Sequence, residues 1–315
     1  EYADKLNVQK DIRHIMNLYG FGDIQTPSYE FFEIFNRDRG SVSSTEMFKF
    51  FDRHNNTMVL RPDITPSIAR CTAKYFKDEK MPIRLCYVGN TFLNTSSYQG
   101  KLNEVTQVGA ELMNDSTSDA DAEMIALIIE CLLSSGLTEF QVDVGHADFY
   151  LGLMEESELS EEEITALKIL LENKNIFGVE SLVEDKKIPE NVKKLIVRLP
   201  ELFGGTEIIQ MAKEYLTNER ALSALSRMEN LYSILEAYGL EKYVNFDLCM
   251  LSHYNYYTGI IVKAYTYGTG EAVATGGRYD NLVEQFGKKT DAVGFVIILD
   301  QLMLALSRQK IDIKS

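Results

Sequence analysis

The chain has 315 residues, 45% of them hydrophobic, and a formal net charge of −15. That length can bury a substantial core, as one large domain or one domain with an insert. No apolar run approaches the roughly 20 residues that a membrane helix needs, no signal peptide opens the sequence, and so large an acid excess argues against a surface built to grip a phosphate backbone.

In chain order, residues 3–19 carry helical spacing through Leu6, Ile12, Ile15, Met16 and Tyr19 and stop at Gly20. The aromatic-rich DIQTPSYEFFEIF follows, broken at Pro27. MFKFFDRHNNTMVLRPD predicts a hairpin around His54-Asn55-Asn56, and ITPSIARCTAKYF a helix with Pro66 in its first turn. PIRLCYVGNTFLN and NEVTQVGAELM predict strands, DADAEMIALIIECLLSSG a helix with acidic residues at its start, and FQVDVGHADFY a further strand. From about residue 155 to residue 240 strand signals give way to helical ones, opening on the capping-box pattern Ser160-Glu161-Glu162-Glu163. This stretch reads as a helical insert (155–240) in a domain made of 1–154 and 241–315. Strands resume at VNFDLCML, TGIIVKAYTY and EAVATGG, with helices expected at RYDNLVEQF and LDQLMLAL. Gly268-Thr269-Gly270 falls between two strands and is a turn, not a nucleotide-binding loop. Hairpins with helices between them indicate an α+β fold with a mostly antiparallel sheet. Cys71, Cys86, Cys131 and Cys249 lie far apart, without a C-x-x-C pair, so neither a zinc site nor a disulfide framework is expected; they read as reduced thiols of a cytoplasmic protein.

Four short segments carry chemistry. LRPDITPSIAR sets Asp63 and Thr65 after a strand, and TQVGAEL sets Gln107, Gly109 and Glu111 at alternate positions, hence on one strand face. NYYTGI and ATGGRYDNL follow the insert. In this order they resemble class II histidyl-tRNA synthetases, whose hallmark pieces are similar to L-R-P-E-x-T, Q-x-G-x-E, D-Y-Y-T-G and G-G-R-Y-D. The resemblance covers nearly the whole chain. It implies a class II synthetase-like antiparallel sheet flanked by helices, dimerising through the region around Pro27. It also implies an amino-acid pocket. Asp63 and Glu111 would pair with an α-ammonium group, Thr65 and Gln107 would add neutral hydrogen bonds, and Tyr256 or Tyr257 would meet an imidazole.

The same comparison exposes what is absent. Charge builds on a phosphoryl group during adenylation, and the family meets it with fixed arginines. The position of the arginine in the family's F-R-x-E piece is Leu93, and its acid is Thr95. The piece similar to G-L-E-R reads Ile298-Leu299-Asp300-Gln301, so Gln301 stands for the second arginine and Ile298 for the glycine. Ser252 stands where a third arginine precedes the tyrosine pair, which leaves Arg278 as the candidate for a ligand carboxylate, and Lys101 in the intervening loop is a flexible point charge. No segment similar to the family's anticodon-binding domain follows the last helix. Chains of this kind resemble the regulatory subunits of ATP phosphoribosyltransferase. The resemblance implies a non-catalytic role, with no cofactor and no metal. It implies a homodimer within a hetero-oligomer, a short-form ATP phosphoribosyltransferase catalytic subunit as partner, free histidine as a ligand, and contact with neither nucleic acid nor membrane. A divergent histidyl-tRNA synthetase, or a synthetase-like paralogue binding another amino acid or a carrier protein, stands as the alternative.

Overall fold

The structure is a computed structural model and describes residues 2–35, 42–95, 102–251 and 256–313. Helix α1 (Tyr2–Leu18) leads into the short strands β1 (Gly22–Asp23) and β2 (Tyr29–Phe31). The expected hairpin is β3 (Lys49–Phe51) and β4 (Thr57–Leu60), turning at Asn55 with φ of 62°. Asp52 Oδ1 fixes this turn by accepting from the backbone N–H groups of His54 at 2.8 Å and Asn56 at 2.9 Å. Helix α2 (Thr65–Tyr75) carries Pro66 in its first turn, where a missing N–H is harmless. Strands β5 (Ile83–Phe92) and β6 (Glu104–Met113) then pair antiparallel over their whole length.

Helix α3 (Ser118–Ser134) is capped by Thr117 and has Asp119 and Asp121 in its first turn. Strand β7 (Phe140–His146) is followed by α4 (Ala147–Ser157), α5 (Glu161–Glu172), α6 (Ile176–Glu184), α7 (Glu190–Arg198), β8 (Phe203–Gly204), α8 (Thr206–Lys213) and α9 (Glu219–Ala237). The chain closes with β9 (Val244–Asp247), β10 (Ile260–Thr266), β11 (Ala274–Arg278), β12 (Ala292–Ile298) and α10 (Leu299–Arg308).

Nine strands form one sheet in the order β1-β5-β6-β12-β11-β10-β7-β9-β8, and β2-β4-β3 form a small second sheet. Only β1–β5 and β7–β9 pair in parallel among these strands, so the sheet is mostly antiparallel, as the hairpin pattern predicts. Side-chain alternation splits the large sheet into two faces. Val108, Ala110 and Leu112 of β6, Val142 and Val144 of β7, and Val293 and Phe295 of β12 bury against helices in one continuous core with Ile12 and Met16 of α1. The intervening residues belong to the opposite face, where Gln107 and Glu111 line a cavity and Gly109 lies under the Tyr87 side chain.

Three local expectations change. FQVDVGHADFY is a strand only as far as His146, whose Nδ1 accepts from Asp148 N–H at 3.2 Å and starts α4. RYDNLVEQF forms only a 3-10 turn at Val283–Phe286, because Arg278 completes β11 and Asp280 Oδ1 is tied to Ala292 N–H at 2.9 Å. The boundary expected at residue 154 lies inside α4, and the 155–240 stretch also contributes β8 to the sheet's edge. Leu225, Met228 and Leu231 of α9 share the sheet's own core, so these helices bury their stripes against the sheet as well as against one another.

Candidate functional site

A cavity of about 780 Å³ opens on the face of the sheet that carries Glu111. By chemistry its lining divides in two, and the set around buried Glu111, the inner half, holds Asp63, Thr65, Gln107, Tyr256 and Tyr257, which the sequence puts in one pocket, together with Tyr279, which it does not. Glu111 sits at the bottom, 1% exposed. The register places it beside Gly294 of β12, which in turn pairs with Gly277 of β11. A Cβ on Gly294 would stand 1.7 Å from Glu111 Oε2, and one on Gly277 would stand 2.9 Å from the Tyr257 ring. Glycine at these two positions is therefore what leaves room for the carboxylate and the ring over the strands.

Glu111 is held by hydroxyl groups. Tyr279 Oη donates to its Oε2, and Thr65 Oγ1 donates to its Oε1 at 2.8 Å. Burial pushes the carboxyl up to about 8, with the charge of nearby Asp63 adding to the rise, while the bonds from Tyr279, Thr65 and Tyr87 oppose it. Tyr87 and Tyr279 are themselves driven well above the usual phenol range, first by burial and then by Glu111. Asp63 accepts from Thr65 N–H at 3.1 Å and from Tyr256 Oη at 3.0 Å. Tyr256 packs edge-on to Tyr257 and to Tyr279, with centroids 5.2 and 6.0 Å apart. Two buried acceptors in the cavity wall, Gln107 Oε1 and Thr91 Oγ1, have no protein hydrogen-bond partner among the described residues. The inner half thus offers the Asp63 carboxylate, the Glu111 carboxyl, an unused amide oxygen and an aromatic wall. That is the chemistry of a cationic nitrogen beside a flat ring.

The outer half has a different character. Leu93, Thr95, Ile298, Gln301 and Leu304 line it, with Glu46, Glu271 and Asp300. Arg308 is the cation of the cavity wall among the described residues, and its Nη1 donates to the Gly268 carbonyl at 2.6 Å. Asp300 is structural: Oδ1 pairs with Lys5 Nζ at 2.6 Å and Oδ2 accepts from Thr106 N–H at 2.6 Å, which ties α10 to α1 and β6. Ser252 and Lys101 lie outside the described residues.

Arg278 corrects a sequence expectation. Its guanidinium is not on the cavity wall; it is 3% exposed on the helix-covered side, where Nε and Nη2 donate to Asp121 Oδ1 at 2.8 and 2.6 Å. Its Nη1 donates to the Asp115 carbonyl at 2.9 Å. The cause is the same alternation that aims Glu111: Arg278 follows Gly277, so its side chain leaves the opposite face. Arg61, in the segment that carries Asp63, is likewise a brace, donating to the Thr26 and Asn90 carbonyls at 2.8 and 2.7 Å.

The histidyl-tRNA synthetase family model matches residues 1–302. A regulatory subunit of ATP phosphoribosyltransferase from Acetivibrio thermocellus is 42% identical over 98% of this chain and 74% of its own length. A solved structure from Bacillus halodurans, described as an ATP phosphoribosyltransferase regulatory subunit/histidyl-tRNA synthetase, is 36% identical with a TM-score of 0.90, over 97% of this chain and 79% of that one. The chain belongs to the histidyl-tRNA synthetase family, in its ATP phosphoribosyltransferase regulatory subunit branch. A histidyl-tRNA synthetase from Nostoc sp. PCC 7120, 21% identical with a TM-score of 0.82 over 99% of this chain and 73% of that one, shares the fold. Within this family the fold is the class II synthetase-like one expected from the motifs. Tyr279 and Tyr87 are the site residues that the motifs alone miss. Tyr279 stands inside the quoted ATGGRYDNL, whereas Tyr87 is found only through its pairing opposite Gly109.

No helix among the described residues is long and apolar enough to cross a membrane, and no group of three or more metal-ligating side chains is found among them.

Proposed function

We propose that this chain is a non-catalytic regulatory subunit of ATP phosphoribosyltransferase, which controls a short-form catalytic subunit in the first step of histidine biosynthesis, and that free histidine is the ligand of its cavity. The observation that carries the reading is the split character of that cavity. The amino-acid half keeps Asp63, Thr65, Gln107, Glu111 and the tyrosines, while Leu93, Gln301 and Ile298 occupy the half where a triphosphate would need fixed cations. A preorganised donor is typically worth about a hundred- to thousandfold in rate, so the loss of several leaves adenylation without support.

Histidine fits the inner half by chemistry. Glu111 and Asp63 receive the α-ammonium, Gln107 Oε1 accepts one further N–H, and Tyr256 and Tyr257 flank the imidazole. The described cavity wall offers the ligand carboxylate only Arg308, already bonded to a carbonyl, so binding is expected to be weak, roughly millimolar to high micromolar. Regulation then follows from linkage: a ligand that prefers one conformation of the complex shifts the partner's equilibrium toward it. Homodimerisation is proposed through the β2-β4-β3 sheet, where Tyr29, Phe31, Phe50 and Phe51 are exposed. The complex is cytoplasmic in this reading.

The test is reconstitution. Purified short-form phosphoribosyltransferase is assayed alone, with this chain, and with this chain plus histidine. Stimulation by the chain and a histidine-dependent change in rate are expected. No co-purification and no change in rate would remove the reading, and histidine-dependent ATP–pyrophosphate exchange above background would replace it with a divergent synthetase.

A further inference from the structure

On the helix-covered side of the sheet lies a second cleft, of about 700 Å³, where α3, α4 and α9 begin. Ser118, His146, Asp148, Arg220 and Arg227 line it. The three helices bring the positive ends of their dipoles to one place. That alone would not make a site.

His146 is the independent pointer. The side chain is 5% exposed, and its Nδ1 accepts from Asp148 N–H. A neutral ring that accepts at Nδ1 carries its proton on Nε2. This Nε2 is buried and has no protein partner among the described residues. The imidazole stays neutral, because burial, followed by Arg227, Arg278 and Arg220, lowers its pKa to about 3.

Arg227 supplies the second donor. Its Nε donates to Asp121 Oδ2 at 2.6 Å, and Nη2 donates to the Ser116 and Thr117 carbonyls at 2.7 and 3.0 Å. The side chain keeps 27% of its surface exposed and lines the cleft. The acids of the cleft do not cancel this. Asp148 is held by Arg220 Nε at 2.7 Å, and Glu219 is exposed at the first turn of α9.

We propose that this cleft binds a small oxyanion, a phosphate or carboxylate group, between His146 Nε2–H and the Arg227 guanidinium beside the N-termini of α3 and α4. The site stands independently of whether the sheet cavity binds histidine. Its position gives it a route to that cavity all the same. Arg227 shares Asp121 with Arg278, and Arg278 directly follows Gly277, over which the Tyr257 ring lies. An anion that draws Arg227 away from Asp121 changes the anchor of β11 beneath the cavity.

The experiment is a titration of the full chain with inorganic phosphate and, separately, with citrate, against chloride at matched ionic strength. It is followed at the imidazole nitrogens by NMR and by calorimetry. Saturable movement of the His146 Nε2 signal below about 20 mM phosphate or citrate, with no response to chloride, is expected, and the tighter of the two anions names the ligand class. His146→Phe and Arg227→Gln should each weaken binding about tenfold or more. The proposal is overturned if the His146 signal does not saturate, if chloride moves it equally, or if folded variants bind as the parent does. Should both variants fail to fold, the His146 signal of the parent chain decides the matter by itself.

Discussion

Replacing Gly294 by alanine tests the floor of the sheet cavity directly. The added Cβ would lie 1.7 Å from Glu111 Oε2 and 2.6 Å from Glu111 Cδ. To clear a contact distance of about 3 Å, the carboxylate must move by more than 1 Å. It then leaves the hydroxyls of Tyr279 and Thr65, the second now bonded at 2.8 Å. Each buried group stranded in this way costs roughly 1–3 kcal/mol, so the two together destabilise by about 2–6 kcal/mol. For a chain of this size that is a fall in Tm of about 3–9 °C. Thermal denaturation measures it, and histidine titration of the same variant should show at least about a tenfold weaker affinity, since the ammonium partner is displaced. In a Glu111→Ala background the same substitution should cost much less, though not nothing, because the Cβ also stands 2.9 Å from the Ala110 carbonyl. A Gly294→Ala chain with parental Tm and parental histidine affinity would refute the packing argument.

Stability should depend on pH through Glu111 and His146 in opposite senses. Glu111 titrates at about 8 when folded, above its ordinary value, so its contribution is full below about pH 4.5 and is lost as pH rises through 8; Glu111→Gln should flatten that limb of the Tm–pH curve. His146 titrates at about 3, below its ordinary value, so its contribution is full above about pH 6.5 and is lost as pH falls toward 3. An ammonium ligand should bind more tightly as pH rises from 6 to 8 and release a proton from Glu111, which calorimetry in buffers of different ionisation enthalpy detects; proton-neutral binding would contradict this. Arg278→Met should lower stability by about 3–5 kcal/mol, because it leaves the fully buried Asp121 with Arg227 alone, whereas a parental Tm with lost histidine binding would return Arg278 to the ligand. ATP at millimolar concentration should give no saturable heat, and a triphosphate ordered beside Leu93 and Gln301 would overturn the assignment of that half of the cavity.

Much of this protein is local and could be read from the chain alone. Hydrophobic period, caps and turn residues are short-range properties, so the β5–β6 pair, α2 with Pro66 and the turn at Asn55 follow from their own segments. Strand alternation likewise puts Gln107 and Glu111 on one face, and the proposed loss of a phosphate grip rests on the identities of Leu93, Ile298 and Gln301. Tertiary structure decided everything that depends on which distant side chains meet. Tyr279 reaches Glu111 across 168 positions, and Asp121 joins Arg227 across 106 and Arg278 across 157. No periodicity encodes such pairings, because strand order and helix docking set them. For that reason Arg278 stands off the cavity wall against Asp121, Glu111 became a buried acid, and His146, unremarked in the sequence, came to stand with an unused donor at the meeting of three helices.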